Sequence, residues 1–458
     1  ATVGLCHEAL LVAAAKVLVG RTQRHSALDL ALVAFAYAQF FLVFPAVAAM
    51  LRRRLPTCAA ELPPVRLAEL VVSCARLSIR EPPLLATFAR QVQLSSLSPA
   101  LFGQVLKSLA SLGIIASPGL QTSLALECHQ RLGGLAENFV GADFGYEELG
   151  WLLDVAECLG EAAEHARRHS GGVCPDFLPD ALQHLAGPLA DLCPTLAPRE
   201  VAELYRSLRQ LPPMLVAPRE GTSMMNVHEA LADRAAGLTR AEAFSQAEVT
   251  SVLFSQLCLF PQVWMELDAH GPENPRLRAL RKSWDALNDS WQEADKADSS
   301  LQDPRLAHQA AMLQLLIRDS AEEIEAASGA SATPPGSQAH ERSRPVAIEL
   351  FEILDALGHE ARGPLWEGPV ELHAVSGQQV FCLTPGDAYF RRPDRAAAFE
   401  EGPSLSASGH DSAEFELCLE KAAQVLLLQR RGWLVTTIPF FQWRRLSSEG
   451  RRMLIRDV

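Results

Sequence analysis

Residues 429 to 443, QRRGWLVTTIPFFQW, decide how the C-terminal region folds. An apolar run at 416 to 428 has helical spacing, and Gly432 follows it at the position of a C′ glycine. Two arginines precede that glycine, where the helix dipole favours cations. Residues 433 to 438 are mostly β-branched or aromatic and predict a strand, which Pro439 ends because proline cannot donate a ladder hydrogen bond.

Charge is distributed unevenly along the chain. Residues 421 to 458 hold eight Lys or Arg against Glu449 and Asp457, a net charge of +6, so the total of −13 leaves −19 for the remainder. An acidic total argues against a broad basic surface that wraps a nucleic acid. Any polyanion is therefore expected to meet the C-terminal end of the chain.

The segment around the glycine turn carries the residue types of an RNA contact. Arginines neutralise phosphates, and an exposed tryptophan stacks on an unpaired base. The aromatic residues of this segment could instead form the core of a small domain, and strand alternation favours a core position for Trp433 and Phe440. The predicted RNA-binding residues are Arg430, Arg431, Trp443, Arg444, Arg445, Arg451 and Arg452.

The composition is that of an ordered protein with more than one core. A chain of 458 residues exceeds what one core usually serves, and 48% hydrophobic against 21% charged residues excludes a disordered chain. The ten cysteines form no Cys-x-x-Cys pair, which predicts buried free thiols in a reducing compartment. Glycine-rich phosphate and dinucleotide motifs are absent from the sequence, so we predict no cofactor.

An eleven-residue pattern recurs within residues 1 to 327, which show helical periodicity and almost no strand-like alternation. Its first, fourth and eleventh positions are large and apolar, its second is small, and its seventh is Ala, Ser or Val. Starts lie 35 to 52 residues apart, which predicts an α-solenoid of helical hairpins, although unrelated amphipathic helices would match the same positions. The copies are 30–40, 67–77, 102–112, 149–159, 201–211 and 249–259.

One stretch of the repeat region also has the composition of a membrane span. Residues 30 to 51 carry no charge and precede three arginines. Pro45 splits the run where other copies pass between helices, so we interpret it as a buried helix pair and expect no membrane contact. Two charged amphipathic helices, 274–298 and 303–326, are predicted to cap the solenoid.

A domain boundary is predicted at residues 328 to 345, where Ser, Gly, Ala and Pro replace the apolar residues that packing needs. Beyond it, the mixed order of strands and helices at residues 346 to 458 predicts a small α/β or α+β domain. A helix reaches about residue 357, and strands at 370–375 and 379–383 form a hairpin at Ser376-Gly377. Residues 391–411 are predicted to form a loop.

The motifs of this C-terminal domain come in a characteristic order. A leucine-rich helix runs into Gly432-Trp433, a strand ends at Ile438-Pro439, and aromatic residues lead to Trp443 at the start of a basic helix. This ending resembles that of the RAP domain, an RNA-binding module. Residues 380–390, VFCLTPGDAYF, look like a drifted form of that family's upstream strand and turn.

The resemblance implies a restriction-endonuclease-like fold, preceding α-helical repeats, and a role in organellar RNA processing, translation or ribosome assembly. We therefore predict a non-enzymatic RNA-binding protein of the mitochondrial matrix, a component of a ribonucleoprotein such as the mitochondrial ribosome. Its C-terminal domain would bind rRNA, and its acidic helical repeats would bind other proteins. One alternative is a protein scaffold of a mitochondrial complex whose RAP-like domain has lost RNA contact.

A second alternative is an RNA-processing nuclease. Restriction-type nucleases hold a divalent metal with an Asp on one strand and Glu-x-Lys on the next. The strand at 380–383 has no carboxylate, Glu371-Leu372-His373 lacks the lysine, and Asp387 alone is an incomplete ligand set. His165 and His169 have zinc-ligand spacing without a third ligand motif and indicate a solvated polar face. We predict no catalytic and no metal residue.

Overall fold

The computed structural model is mostly helical and ends in a region of short β-strands, which confirms the predicted mostly-α class. Contacts divide the chain into two compact units, the first formed by 1–166, 174–196 and 220–230, the second by 167–173, 197–219 and 231–458. The structure describes residues 8–20, 25–40, 44–115, 117–138, 150–169, 172–216, 223–241, 243–261, 275–295, 303–317, 338–363, 365–367, 370–391 and 415–456.

Many helices before residue 318 open with proline, whose fixed φ suits the first helical position and whose missing N–H costs nothing there. In chain order, the described α-helices before residue 318 are α1 Glu8–Gly20, α2 Ala27–Gln39, α3 Pro45–Cys58, α4 Pro64–Arg76, α5 Pro82–Gln91, α6 Pro99–Ser111, α7 Pro118–Asn138, α8 Trp151–His169, α9 Phe177–Leu192, α10 Pro198–Gln210, α11 Pro213–Val216, α12 Ser223–Arg240, α13 Gln246–Leu259, α14 Pro275–Asp295 and α15 Pro304–Ile317.

Within the first unit, alternate helices pack on one another. α2 contacts α4 and α4 contacts α6, while α3 contacts α5, α5 contacts α7, and α7 contacts α9. Copies of the eleven-residue pattern begin three residues after the start of α2, α4 and α6, and the same offset holds for α10 and α13 of the second unit. The fourth copy is the exception, because its first position, residue 149, lies outside the described residues.

Gly103, at the second position of the third copy, permits a close contact between α6 and α8. A Cβ at that position would lie 2.9 Å from the Trp151 carbonyl oxygen and 3.0 Å from the Asp154 Cβ. The same two helices are joined by an ion pair between Lys107 Nζ and Glu157 Oε2, at 2.6 Å. The small residue of the pattern is therefore a packing requirement.

Serine at the seventh position of the pattern is buried wherever it occurs in the described copies. Each hydroxyl donates to the carbonyl four residues earlier in its own helix, and Ser255 Oγ also accepts from Arg209 Nη1 of α10 at 3.5 Å. The donor–acceptor distances are 2.9 Å for Ser73, 2.7 Å for Ser108, 2.9 Å for Ser207 and 2.8 Å for Ser255.

α13 is the centre of the helices in the second unit, where it contacts α10, α14 and α15. Its buried Gln256 donates through Nε2 to the Tyr205 hydroxyl at 2.9 Å and the Ser283 hydroxyl at 3.1 Å. Trp291 Nε1 donates to Thr250 Oγ1 at 3.1 Å. These bonds join side chains of different helices, unlike the serine bonds within α4, α6 and α10.

The C-terminal region forms a three-stranded sheet with helices packed against it and two separate hairpins. β3 is antiparallel to β4, which is parallel to β7, while β1 pairs with β2 and β5 with β6. The elements are α16 Gln338–Ala356, β1 Leu365–Glu367, β2 Val370–Leu372, β3 Ala374–Ser376, β4 Gln379–Thr384, β5 Tyr389–Arg391, β6 Phe415–Leu417, α17 Leu419–Arg430, β7 Leu434–Pro439, α18 Phe440–Arg445 and α19 Ser448–Arg456.

Several sequence-based boundaries need correction. The predicted linker at 328–345 is helical in its described part, because α16 begins at Gln338, and residues 328–337 lie outside the described residues. It also does not divide the two compact units. Nor do α14 and α15 end the packed helices as a cap, since α17 contacts α10, α13 and α15.

The strand predictions hold in outline and fail in detail. The hairpin through Gly377 is confirmed, with φ of +59° at that glycine. The strand predicted at 370–375 breaks at His373, whose Nδ1 accepts a hydrogen bond from the Leu383 amide at 3.3 Å. The predicted loop at 391–411 starts inside β5, and its remainder lies outside the described residues. The helix predicted at 416–428 begins later, because β6 occupies its first residues.

Two further predictions concern a membrane span at residues 30 to 51 and the state of the cysteine thiols. In the part of the chain that the structure describes, no helix has the length and hydropathy to cross a bilayer, and α2 and α3 are separate helices. The nine cysteines among the described residues are free. Burial raises the pKa of Cys74 and Cys193 to about 12, which keeps both as unreactive thiols.

Candidate nucleic-acid interface

The parallel pair β4 and β7 sets the geometry of the candidate interface. Their register runs from Gln379 opposite Leu434 to Thr384 opposite Pro439, so both strands end at the same edge of the sheet. The carboxyl ends of parallel strands are where ligands of open α/β sheets usually bind. α18 follows β7 without a gap, and it carries Arg444 and Arg445 at this edge.

The start of β7 is fixed by the glycine turn that the sequence predicts. Gly432 has a φ of +86°, a left-handed conformation that favours glycine. The Trp433 amide donates to the Leu428 carbonyl at 3.1 Å, and the Gly432 amide donates to the Gln429 carbonyl at 3.0 Å. This pair of bonds is a Schellman motif, so the predicted C′ glycine is confirmed.

The predicted arginine pairs lie at opposite ends of β7. Arg430 and Arg431 precede the strand, whereas Arg444 and Arg445 follow it, and six strand residues span roughly 17 Å. Arg431 Nη1 donates to the Leu315 carbonyl of α15 at 3.2 Å, and both residues of the first pair are half-buried. The structure therefore does not bring the two pairs into one site.

Trp443 was predicted to stack on RNA bases, and that prediction is wrong in this structure. Its side chain is only 1% exposed and belongs to a core cluster that includes Leu350 and Ile438. The indole Nε1 donates to Glu349 Oε2 at 3.1 Å. A base cannot reach the ring without unfolding α18.

Arg451 was also predicted to contact RNA, but its guanidinium is already engaged. It forms an ion pair with Glu349 and donates through Nε to the Trp443 carbonyl at 2.8 Å. Its Cζ lies 5.5 Å from the centroid of the Trp443 ring. Glu349, Trp443 and Arg451 thus form a network, called here the Glu349 network, that ties α16, α18 and α19 together.

Four arginines remain exposed on α18 and α19, and none has an ion pair among the described residues: Arg444, Arg445, Arg452 and Arg456. The exposed Glu449 is the one acidic residue that α18 and α19 contain, so the surface keeps a positive balance. Arg452 and Arg456 are one helical turn apart and therefore share a face of α19. We call these four residues the C-terminal arginine surface.

The other aromatic residues of the region are also turned into the protein. Phe440 packs on the core cluster, and the Phe441 ring lies 5.5 Å from Tyr389 and 4.5 Å from Phe415, measured between centroids. Burial raises the pKa of the Tyr389 hydroxyl, which lies against Thr384. Trp433 is half-buried. Among the side chains described at 338–456, no aromatic one is exposed.

Asp387, His165 and His169, which the sequence suggested as metal ligands, are among the described residues. Asp387 is exposed in a short turn after β4, at the same sheet edge as α18. His165 and His169 lie on α8, half-buried and exposed respectively. Within the described ranges, no group of three His, Cys, Asp or Glu side chains is placed to hold a metal ion.

Glu349 is the residue that sequence reasoning missed. It lies in the middle of α16, 94 residues before the tryptophan it binds, and nothing in its local pattern separates it from Glu352 or Asp355. The one available signal was indirect, because a buried indole N–H needs an acceptor.

Comparison with protein-family models and with curated proteins found no match to this chain.

Proposed function

We propose that this protein binds RNA without catalysing a reaction on it, as a component of a mitochondrial ribonucleoprotein such as the ribosome. The C-terminal domain, which resembles a RAP domain, contacts rRNA, and the helical repeats hold neighbouring proteins. The observation that carries the proposal is the C-terminal arginine surface. It is the exposed, unpaired positive charge of a region with a net charge of +6 in a chain of −13.

The place of that surface in the fold supports the proposal. α18 and α19 follow the carboxyl end of β7, at the sheet edge where open α/β sheets bind ligands. Arginine forms charge-assisted hydrogen bonds with phosphate oxygens, which makes it the residue of choice for an RNA backbone.

The helical region supports the proposed scaffold for that domain. α2 contacts α4 and α4 contacts α6, while α3 contacts α5 and α5 contacts α7, and this alternation is what the two layers of a solenoid of helical hairpins would require. We propose that the six copies are repeats of this kind. The mitochondrial matrix is proposed from the family resemblance, and the free thiols suit a reducing compartment.

Crosslinking in the organelle, followed by sequencing of the attached RNA and mapping of the crosslinked peptides, tests the proposal. We expect ribosomal RNA attached to peptides from residues 440–456. Absence of RNA from this segment, with the protein still sedimenting in a large particle, would overturn the proposed contact. Replacing Arg444 and Arg445 with Glu should abolish the crosslink, whereas the same change at the exposed Arg52 and Arg53 of α3 should preserve it.

A pure protein scaffold is the second candidate, and one feature of α2 favours it. Leu28, Leu32 and Phe35 lie along one face of that helix and are 44%, 47% and 38% exposed. An apolar stripe of this kind usually marks a protein contact. If Leu32→Glu with Phe35→Glu releases the protein from its particle and Arg444→Glu with Arg445→Glu does not, the scaffold role is the main one.

The nuclease is the remaining candidate, and it depends on Asp387 at the sheet edge. Its test is cleavage of single-stranded RNA in Mg²⁺ or Mn²⁺ by the purified chain. Activity that disappears with Asp387→Ala would replace the non-enzymatic proposal. Activity that survives this substitution would indicate a contaminating enzyme.

A further inference from the structure

We propose that the C-terminal arginine surface binds the phosphate backbone of double-helical RNA and does not read unpaired bases. This inference rests on the proposed RNA-binding function and names the form of RNA that the surface accepts. It follows from the side chains that are exposed there and from those that are not. Exposed arginines favour contact with the phosphate backbone, whereas exposed aromatic side chains would favour stacking on bases. The C-terminal arginine surface presents the arginines.

Recognition of single-stranded RNA depends on aromatic side chains that stack on the bases, worth about 1–3 kcal/mol for each base. The sequence offers Trp433, Phe440, Phe441 and Trp443 for this purpose. The structure buries Trp443 and packs Phe440 and Phe441 against other side chains of the domain. Trp433 is half-buried and precedes β7, at the opposite end of that strand from Arg444 and Arg445, so the C-terminal arginine surface has no exposed aromatic side chain among its described residues.

The surface does present arginines, and they lie on two consecutive helices. Arg444 and Arg445 end α18, and Arg452 and Arg456 lie on one face of α19, separated by about 6 Å along its axis. Positive charges on consecutive helices can contact phosphates of one RNA backbone. A charge-only surface favours the duplex, because a duplex carries more phosphates per unit length and releases more counterions per contact than a single strand.

The nearby acidic residues limit where a phosphate backbone can lie on the surface. Glu449 is exposed on α19 three residues before Arg452, and Asp387 is exposed at the adjacent sheet edge. Carboxylates accept hydrogen bonds and repel phosphates, so they limit the surface to the positions that the arginines reach. The result is a narrow contact that detects backbone geometry and charge.

Fluorescence anisotropy with the full-length chain tests the inference. The probes are a labelled RNA duplex of 18 base pairs, each of its strands alone, and a second duplex of unrelated sequence. We expect the two duplexes to bind equally and more tightly than either strand. Four phosphate contacts predict about a hundredfold loss of duplex affinity between 50 and 200 mM salt.

Paired arginine substitutions locate the contact. Arg452→Gln with Arg456→Gln should reduce that salt-dependent loss to about tenfold, because two of the four counterion-releasing contacts are gone. Arg52→Gln with Arg53→Gln removes the same charge from exposed positions on α3 and should leave the salt dependence unchanged. Circular dichroism of both variants confirms that helical content is retained.

The outcomes separate the inference from the function on which it rests. Tighter binding to a single strand than to the duplex, or a clear sequence preference, would overturn the duplex inference and leave RNA binding at this surface intact. Duplex binding that is unchanged by all four arginine substitutions would overturn both. Failure of the wild-type chain to bind any probe above the level of the Arg444→Glu and Arg445→Glu variant would also overturn the proposed function.

Discussion

In the helices that carry the eleven-residue pattern, a buried serine hydroxyl donates to a carbonyl four residues away, whereas in the C-terminal region the buried Trp443 donates to Glu349, 94 residues away. The first kind of bond is complete as soon as the helix forms. The second requires α16 and α18 to meet. The serines of α4 and α6 are thus satisfied within their own helices, while the buried Trp443 depends on a contact between distant segments.

The substitution with the largest expected effect on this contrast is Trp443→Ala. Removing a fully buried indole leaves a cavity and should destabilise the C-terminal sheet by about 3–5 kcal/mol. Hydrogen exchange of the β7 amides, measured by mass spectrometry, reports this local stability. Protection of α4 should be unchanged, since its bonds are internal to the helix. Equal loss of protection in both places would mean that the two regions unfold as one.

Breaking the Glu349 network without removing the ring should cost less. Glu349→Gln keeps an acceptor for the Trp443 indole but removes the charge that pairs with Arg451. We expect a loss of about 2 kcal/mol in the exchange stability of α19, because a charged hydrogen bond is lost and the half-buried guanidinium is left uncompensated. Glu352→Gln, on the same helix, is the control and should have no such effect.

A tight helix contact offers a test within the repeat region. Gly103→Ala places a Cβ 2.9 Å from the Trp151 carbonyl, and the resulting overpacking should cost about 1–3 kcal/mol in the exchange stability of α6. A Cβ at Gly237 of α12 would meet no atom of another element within 4 Å. Gly237→Ala should therefore stabilise α12 by about 0.5–1 kcal/mol through helix propensity. A neutral Gly103→Ala would show that α6 and α8 are less closely packed.

The same contrast explains what the sequence can predict. Helix positions in the repeat region follow from an apolar pattern that recurs, so each copy supports the others. Gly432 and β7 were predictable because a C′ glycine and a β-branched run act within a few residues. Helix α16 was placed too late because its first turns are rich in polar residues, which local composition assigned to a linker.

The candidate site was harder to predict, because burial of a side chain depends on distant partners. Trp433 and Trp443 each stand beside an arginine pair in sequence, yet Trp443 is buried and Trp433 is half-buried. Arg451 and Arg452 are neighbours, but one turns inward to Glu349 and the other is exposed. Only the position of α16 separates these cases, and no local pattern encodes it.

The smallest expected effect is that of Ser108→Ala, which tests the local half of the comparison. The hydroxyl donates to the Gln104 carbonyl, and that carbonyl keeps its helical N–H partner when the hydroxyl is removed. No buried group is left unpaired, so α6 should change in stability by no more than about 0.5 kcal/mol. Gly103→Ala in the same helix is the matched comparison, and hydrogen exchange of α6 measures both. If Ser108→Ala costs more than Gly103→Ala, the repeat serines hold the helices together through contacts beyond their own helix, and the distinction between local and distant bonds fails for this region.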